Sequence, residues 1–502
     1  MQKPVTQTPS SGRHVLALLC GSAQTFAFAP FSIWPVAVIS VGLFSVLLMG
    51  AGRARSFALA FSFGVGLFGT GTSWIYVSIH DYGHAAVPLA AGLTAIFVVG
   101  IALLFALPFL AYGMLNNKQA AARLLAFPAL WVLGEWFRSW FLTGFPWLLL
   151  GYSPLETPLA GWAPVVGVYG LSAGIALTGA VIGLLATERL SEAAIGGLIL
   201  LTGVWGGGFY LQQQTWTETS RTSLSVALVQ PNQPLLQKWN PDAIPAILDN
   251  FSATNARLGD KDLVVWPEAA IPRFQHSIQP FLDQQDKLAR ASNTALITGI
   301  PVAHYQTDYY NGVIGLGQAN GSYLKQRLVP FGEYVPLESL LRGAIAFFDL
   351  PMSAFKIGPK NQPPIQLANG PRIASAICYE IVYPDLVASN ARTADILLTI
   401  SNDTWFGRSL GPHQHLQMAQ MRALENAKPL IRATNDGFTA LIDARGKVER
   451  TIPRFKRGIL EGWVTPHSGE TPFARGGSLP IITLSFLIFF AVAIRNLFLK
   501  PS

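Results

Sequence analysis

Eight apolar runs are the feature that most restricts what this chain can fold into. They cover residues 14–29, 33–49, 56–79, 86–115, 120–140, 163–185, 193–211 and 479–498. An α-helix needs about 20 mostly apolar residues to cross the hydrocarbon core of a bilayer. Only 12% of the residues are charged, whereas soluble globular proteins carry about 25%. The sequence therefore predicts a polytopic α-helical membrane domain with eight transmembrane helices.

The basic residues predict the orientation of these helices. If the N-terminus lies in the cytoplasm, the short cytoplasmic segments hold Lys3, Arg13, Arg53, Arg55, Lys118, Arg123, Arg189, Arg495 and Lys500. The short loops on the opposite side hold little beyond Arg138. Because cytoplasmic loops are enriched in Lys and Arg, both termini are expected in the cytoplasm and residues 212–477 in the periplasm of a bacterial inner membrane. The net charge of +8 is spread over short clusters, so no nucleic-acid partner is expected.

Residues 212–477 have the pattern of a different kind of domain. Stretches rich in β-branched residues predict strands at 224–229, 262–266, 295–300, 312–316, 373–378, 396–401, 440–442 and 458–464. Helices are predicted at 244–257, 278–291, 384–392 and 414–428. Strands mixed with helices indicate a layered α/β domain. The predicted organisation is a seven-helix membrane domain at 1–211, a catalytic domain at 212–477, and an eighth helix with a cytoplasmic tail at 478–502.

One glycine motif is expected to serve packing. Gly64, Gly66 and Gly69 match the spacing of a dinucleotide fingerprint, which requires a preceding strand and a following helix. Here the glycines lie inside a membrane run, where small residues let helices approach closely. We therefore expect helix packing and no cofactor at this position.

Three polar residues follow predicted strands of the outer domain. Glu268 follows the stretch Asp262-Leu-Val-Val-Trp-Pro, in which the proline ends the strand. Lys325 precedes a compact Pro-Phe-Gly turn that leads to Glu333. Cys378 ends the strand Ile373-Ala-Ser-Ala-Ile. Ligands bind at the carboxyl ends of strands in α/β sheets. The alternatives are a solvated or capping glutamate, a surface lysine and an inert buried cysteine.

A carboxylate, an ammonium and a thiol form a coherent set for acyl transfer. Glu268 could take the thiol proton as a general base, and Cys378 could then attack an acyl carbonyl to form a thioester. Lys325 could stabilise the oxyanion of the tetrahedral intermediate. A helix-like stretch follows Cys378, and a helix N-terminus would favour its thiolate. No metal and no cofactor are expected.

The same stretches resemble the Glu-Lys-Cys triad of the nitrilase superfamily, whose fold is an α-β-β-α sandwich. The flanking helices extend the resemblance, as do the string Gly144-Phe-Pro-Trp147-Leu-Leu-Leu-Gly-Tyr-Ser, the string Val229-Gln-Pro-Asn-Gln and Trp239. Together they resemble the apolipoprotein N-acyltransferase family over essentially the whole chain.

The resemblance implies a two-step reaction. An acyl chain passes from the sn-1 position of a phospholipid to the cysteine, and then to the α-amino group of the diacylglyceryl-cysteine of an apolipoprotein. It also implies supporting roles for Glu333, Tyr379 and Glu380, and substrate contacts for Trp239, Gly144 and Trp147. An interfacial aromatic anchor is the alternative for Trp147.

An apolar loop between residues 341 and 355 could admit lipid. It carries Phe347 and Phe348, and exposed apolar patches on soluble domains mark binding sites. The alternative is an ordinary core segment.

Two other functions fit parts of the pattern. A membrane-anchored nitrilase-type amidase would use the same triad with water as the second nucleophile, although one anchor would be enough for a small amide. A transporter would carry ionisable residues in the middle of its helices. The apolar runs hold few such residues, and Glu135 and Arg138 are spaced i, i+3 and could pair on one helix face.

Overall fold

The computed structural model describes residues 10–188, 190–304, 308–330, 332–334, 355–368 and 370–498. Its helices are α1 (Ser10–Gln24), α2 (Trp34–Leu48), α3 (Arg53–Gly71), α4 (Trp74–Val77), α5 (Val87–Tyr112), α6 (Phe127–Trp140), α7 (Ala163–Glu188), α8 (Glu192–Leu211), α9 (Leu235–Lys238), α10 (Ile244–Arg257), α11 (Gln279–Ala291), α12 (Pro384–Ala391), α13 (Gly411–Asn426), α14 (Pro472–Gly476) and α15 (Leu479–Phe498). The helices α1–α8 and α15 form one bundle, and the rest belong to an α/β domain between α8 and α15.

Several helices could span a membrane by length and composition. Among the described residues, four segments qualify: Val87–Tyr112, Pro158–Glu188, Glu192–Leu211 and Leu479–Phe498. Arg53–Gly71 and Trp74–Tyr82 make a fifth if this pair, bent by 50°, is one span.

The remaining predicted runs also contain helices, but these are shorter. Helices α1 and α2 have 15 residues each, and α6 has 14 with two buried charged residues, Glu135 and Arg138. The structure therefore supports a multi-helix membrane domain with four or five candidate spans, and the number eight stays a prediction.

The bundle is held by aromatic contacts and by small residues. Phe44, Phe63, Phe105, Phe109 and Trp131 form one buried cluster. A Cβ atom on Gly66 would lie 2.1 Å from the carbonyl oxygen of Leu18, so α1 and α3 approach too closely for any larger residue. The predicted packing role of this glycine motif is confirmed.

The α/β domain contains two large mixed sheets and a small antiparallel pair, formed by its first and last strands. Its strands are β1 (Glu218–Thr219), β2 (Leu224–Gln230), β3 (Leu263–Val265), β4 (Ala295–His304), β5 (Asp308–Gly317), β6 (Ala319–Asn320), β7 (Ser322–Leu324), β8 (Ile365–Leu367), β9 (Arg372–Ile377), β10 (Ile396–Ser401), β11 (Leu430–Thr434), β12 (Ala440–Ile442), β13 (Val448–Thr451), β14 (Gly458–Val464) and β15 (His467–Ser468). Within the described residues, one sheet has the order β14-β2-β3-β4-β5-β7 and the other β13-β12-β11-β10-β9-β8-β6. All eight predicted strands and all four predicted helices of this domain are present, with small differences at their ends.

The two sheets pack face to face between two layers of helices. Side chains such as Val226, Ile297, Ile377 and Ile400 form the core between the sheets. Helices α10 and α11 cover the outer face of the six-stranded sheet, and α12 and α13 cover the outer face of the seven-stranded sheet. This arrangement confirms the expected α-β-β-α sandwich.

The helical bundle and the sandwich share a continuous core. Helix α13 packs on α7, and apolar residues of α12 and α13 belong to the same buried cluster as the aromatic residues of the bundle. The seven-stranded sheet is therefore attached to the membrane part through its own helix layer. In both sheets, parallel strands direct their carboxyl ends to one edge, and β3, β9 and β10 end close to the candidate site.

Candidate active site

Glu268 lies just beyond the end of β3. The preceding Trp266 is fully buried, which fixes the path of the chain at this point. The Glu268 carboxylate is also buried. Its Oε2 accepts a hydrogen bond from the backbone N of Asn402 (2.7 Å), and its Oε1 accepts one from Nδ2 of Asn311 (2.7 Å). Glu268 is therefore a buried residue whose carboxylate is held by two hydrogen bonds. The alternative of a solvated glutamate is wrong.

Lys325 follows β7 and is enclosed by carboxylates. Its side chain is 1% exposed. Its Nζ lies 2.8 Å from Oε1 of Glu333 and 3.5 Å from Oε1 of Glu268. Burial alone would lower the pKa of Lys325, but the charges of Glu333 and Glu268 raise it above its usual value. The ammonium thus stays charged, and the surface-lysine alternative is wrong.

Glu333, the predicted second carboxylate, lies beside Lys325, and its role stays a prediction. Its Oε2 accepts a hydrogen bond from the backbone N of Val329 (2.8 Å). Its Oε1 accepts a hydrogen bond from Nδ2 of Asn311 (3.0 Å) and another from Nζ of Lys325. Since Asn311 also donates to Glu268, this amide and Lys325 hold the two like-charged carboxylates side by side.

Cys378 lies directly after β9, at the start of a one-turn helix, Cys378–Val382. Its φ is +52°, a region that non-glycine residues rarely occupy and that recurs at functional sites. Burial raises the pKa of its thiol, and the charge of Glu268 raises it further, against a lowering effect of Lys325.

The expectation that a helix N-terminus favours the thiolate stays a prediction. Cys378 begins the one-turn helix, α12 begins only at Pro384, and burial together with the charge of Glu268 raises the pKa of the thiol. A raised pKa favours the protonated thiol over the thiolate.

Glu380 organises the backbone around the site. Its Oε1 accepts hydrogen bonds from the hydroxyl of Tyr323 (3.0 Å), the backbone N of Gln326 (2.6 Å) and the backbone N of Arg327 (3.1 Å). Its Oε2 accepts the backbone N of Ile377 (2.7 Å). One buried carboxylate thus ties the residue before Cys378 to the segment after Lys325. Burial raises the pKa of Glu380 to about 7, and these donors oppose that effect.

Tyr379 connects the site to the helical bundle. Its hydroxyl donates to the carbonyl oxygen of Gly144 (3.1 Å), and the hydroxyl of Tyr383 donates to that of Thr143 (3.0 Å). Gly144 has a φ of +83°, and a Cβ atom there would lie 1.9 Å from the carbonyl oxygen of Ser139. The loop therefore requires glycine at this position.

Trp147 is fully buried between the two parts of the molecule. Its Nε1 donates to Oε1 of Gln414 in α13 (2.6 Å). It is not an interfacial anchor, and its contact with substrate stays a prediction.

The other predicted substrate contacts are less fully described. Trp239 is half-buried and follows Lys238, whose Nζ donates to the carbonyl oxygen of Glu268 (3.2 Å). Phe347 and Phe348 lie outside the described residues.

Sequence reasoning missed several polar residues that complete the site. Ser401 ends a predicted strand and Asn402 and Asp403 follow it, the same signal that selected Glu268, so these residues could have been found in this way. Asn311 lies inside β5 between Tyr310 and Gly312 and has no such signal.

The arrangement provides what acyl transfer through a covalent intermediate requires. A thiol lies within the electrostatic influence of a carboxylate and an ammonium. The carboxylate can accept a proton, and the ammonium can stabilise developing negative charge. Asn311, Glu333 and the backbone N of Asn402 hold the acid and the amine in place.

Comparisons with known families match both parts of the chain. Residues 20–181 match the family described as apolipoprotein N-acyltransferase N-terminal domain, and residues 225–470 match the carbon-nitrogen hydrolase family.

Curated relatives extend the match to nearly the full length. The chain is 47% identical over 494 residues to an apolipoprotein N-acyltransferase of Pseudomonas aeruginosa, covering 96% of each protein. It is 47% identical over 483 residues to one of Azotobacter vinelandii, covering 95% of this chain and 93% of that protein. Among solved structures, an amidase of Nesterenkonia sp. AN1 aligns with 18% identity and a TM-score of 0.38, over 53% of this chain and 97% of that one.

Proposed function

This chain belongs to the apolipoprotein N-acyltransferase family, and from that premise we propose that it moves a fatty acyl chain from a phospholipid to the N-terminal amino group of an apolipoprotein. The enzyme is an acyltransferase of lipoprotein biosynthesis. The donor is the sn-1 acyl ester of a phospholipid, and the acceptor is the α-amino group of a diacylglyceryl-cysteine.

The first half-reaction loads the cysteine. Glu268 takes the proton of the Cys378 thiol, and the sulfur attacks the ester carbonyl carbon. The Lys325 ammonium stabilises the oxyanion that forms. As the intermediate collapses, the carbon–oxygen bond of the ester breaks, and the leaving oxygen takes the proton from Glu268. The products are an acyl thioester and a lysophospholipid.

The second half-reaction delivers the acyl chain. The acceptor amine attacks the thioester carbonyl and gives a proton to Glu268. The carbon–sulfur bond breaks, and the departing sulfur recovers that proton as the thiol is restored. Because an amine is a better nucleophile toward a thioester than water, transfer outcompetes hydrolysis without a separate switch.

One observation carries this proposal: Glu268 and Lys325 lie 3.5 Å apart, and the charges of both act on the thiol of Cys378, although the three residues come from distant stretches of sequence. The proposed arrangement in the membrane adds eight spans, cytoplasmic termini and a periplasmic catalytic domain at 212–477. Its support is the positive-inside pattern of the sequence and the shared core between the sandwich and the bundle.

The test is mass spectrometry of the purified full-length protein after incubation with phospholipid vesicles. We expect a long-chain acyl mass on the Cys378 peptide, its loss on treatment with hydroxylamine, and no adduct in Cys378→Ala. Cys20→Ala is the matched control, since Cys20 is the other free cysteine and lies buried in α1. An acyl mass on any other residue would contradict the covalent mechanism.

The acceptor separates transfer from hydrolysis. With a diacylglyceryl-cysteine peptide added, we expect the adduct to disappear as the N-acyl peptide accumulates in equal amount. Release of free fatty acid instead would favour the amidase-type alternative, in which water is the second nucleophile.

A further inference from the structure

A buried polar network contacts the Cys378 thiol in addition to the proposed triad. The hydroxyl of Ser401, the last residue of β10, lies 3.3 Å from Sγ of Cys378 and 2.6 Å from Oδ1 of Asp403. Asp403 in turn binds Arg432 of β11, with 2.7 Å between Oδ2 and the guanidinium nitrogen. Ser401, Asp403 and Arg432 are each at most 1% exposed.

The charges fix the direction of the hydrogen bonds in this network. Burial alone would raise the pKa of Asp403, but Arg432 and His415 lower it well below its usual value, so the carboxylate is ionised. An ionised carboxylate only accepts hydrogen bonds, and a serine hydroxyl has one proton to donate. The short contact of 2.6 Å therefore commits the Ser401 proton to Asp403. What the Ser401 oxygen offers to Cys378 is a lone pair.

His415 attaches the same network to the backbone of the nucleophile. This residue of α13 is buried, with Nδ1 3.0 Å from Oδ1 of Asp403 and Nε2 3.2 Å from the carbonyl oxygen of Cys378. Burial and the neighbouring Arg432 lower the pKa of His415, whereas Asp403 and the Cys378 carbonyl group raise it. Both the side chain and the carbonyl group of Cys378, at its φ of +52°, are thus held by residues around Asp403.

We propose that Ser401 is a positioning residue for Cys378: its hydroxyl donates to Asp403, accepts the hydrogen bond of the Cys378 thiol, and keeps the nucleophile as a directed thiol until a base removes its proton. This inference rests on the proposed function only in taking Cys378 as the nucleophile. Ser401 cannot donate to a thiolate without giving up Asp403. The charged and titratable groups that act on the thiol are Glu268, Lys325 and Asp403, and His415 contacts its backbone.

Infrared spectroscopy tests the proposal on the unmodified protein. The difference spectrum of wild type minus Cys378→Ala isolates the S–H stretch of Cys378, because the contribution of Cys20 cancels. At neutral pH we expect an S–H band shifted to lower wavenumber than that of a thiol without an acceptor. The absence of any S–H band would mean a resting thiolate and would overturn the proposal, whether or not any variant folds.

Ser401→Ala provides the second test, with Thr399→Val as its matched control. Thr399 is also fully buried on β10, and among the described residues its hydroxyl has no hydrogen-bond partner. Ser401→Ala should move the S–H band to higher wavenumber, and Thr399→Val should leave it in place. Matching band positions in Ser401→Ala and wild type would contradict the assigned acceptor role.

The pH dependence of alkylation by iodoacetamide gives a readout that packing alone would not move. Ser401→Ala removes a partner of the thiol form and none of the thiolate form, so the pKa of Cys378 should fall by about half a unit, the effect of one ordinary hydrogen bond. Thioester formation should slow by about 3- to 10-fold. A higher alkylation pKa in Ser401→Ala would show that Ser401 donates to the thiolate, and an unchanged pKa would show that it stabilises neither form over the other; either result would overturn the proposal. Both measurements are independent of acyl transfer, so failure of the proposed function would appear separately, as transfer by Cys378→Ala.

Discussion

Buried charged residues occur in both parts of this molecule, but they are used differently. In α6 of the bundle, Oε1 of Glu135 accepts the backbone N of Leu150 (2.7 Å), and a guanidinium nitrogen of Arg138 donates to the carbonyl oxygens of Phe145 (2.6 Å) and Trp147 (2.7 Å). Among the described contacts, the two residues do not pair with each other as their spacing suggested. Each binds the backbone of one loop, and Glu135 also accepts a hydrogen bond from Nε1 of Trp131 (3.0 Å).

The buried charges of the α/β domain bind one another's side chains as well as the backbone. Lys325 contacts two carboxylates, and Asn311 donates to the same two oxygens. Of these groups, Glu268 and Lys325 also act on the thiol of Cys378. A buried charge that binds backbone groups stabilises the conformation of the loop that carries them. Buried charges that bind one another can change their protonation or their partners when a substrate binds. We therefore expect substitutions in α6 to affect folding first, and substitutions in the outer cluster to affect the reaction first.

The largest expected effect is that of Glu268→Gln. The amide keeps the shape of the side chain but cannot act as a base, so thioester formation should fall by about 10²- to 10⁴-fold. The measurement is the single-turnover rate of acyl-enzyme formation, with the melting temperature recorded alongside. Glu449→Gln, at an exposed position on β13, is the control and should behave as wild type. A near-normal rate in Glu268→Gln would remove this residue from the triad.

Glu380→Gln should have the next largest effect. A glutamine presents an NH₂ group to at least one of the four donors that now bind Glu380, so the segments carrying Lys325 and Cys378 would shift relative to each other. A misplacement of about 1 Å at a reacting group can cost about 10²-fold in rate.

Tyr323→Phe serves as a graded control for that experiment, because it removes one of the four donors to Glu380 and keeps its carboxylate. Its rate should lie between those of Glu380→Gln and wild type. Equal rates for Glu380→Gln and wild type would show that this carboxylate does not position the site.

Arg138→Met tests the other half of the comparison. It leaves two buried carbonyl groups without their donor, and an unsatisfied buried group costs about 1–3 kcal/mol. The melting temperature in detergent should fall clearly, while the alkylation rate of Cys378 in the folded fraction should stay within about threefold of wild type. Arg495→Met, exposed at the end of α15, should change neither quantity. If Arg138→Met slowed the alkylation of Cys378 strongly and left the melting temperature unchanged, the proposed difference between the two regions would be wrong.

The smallest expected effect concerns Lys238 and pH. Burial lowers the pKa of Lys238 from 10.5 to about 8. As the pH rises from about 8 to 10.5, the folded protein gives up this proton before the unfolded chain does, so this residue makes the wild type more stable over that interval. Lys238→Met should lack this gain. The melting temperatures of wild type and Lys238→Met at pH 7.5 and 9.5 measure this gain. Equal changes in the two proteins would contradict the lowered pKa of Lys238.

The outer domain was largely predictable because its signals are local. Apolar runs that end in Pro, Gly or Asn gave the strands, and the residues just past them gave Glu268, Lys325 and Cys378. Strand β11 was missed because Arg432 interrupts its apolar pattern. Its charge is compensated by Asp403, which precedes it by 29 residues, and no local pattern reveals such a partner.

The state of the nucleophile was not predictable for the same reason. The helix-like stretch after Cys378 suggested a favoured thiolate, but the groups that decide the matter come from β3, β7 and β10. The position of Trp147 also depends on a distant partner, Gln414, so its aromatic character alone suggested the wrong environment. Sequence patterns predict helices and strands well. They predict poorly the properties that depend on contacts between distant elements.

The hydrogen bonds from Tyr379 and Tyr383 to the loop at Thr143 and Gly144 fix the position of the segment that follows Cys378 relative to the helices. The catalytic sandwich is therefore not a portable module. Released from its helices, it would lose the acceptors of both tyrosines and expose the helix layer that α7 now covers. Attempts to make a water-soluble version would have to carry this loop along, because both tyrosine hydroxyls would otherwise lose their acceptors.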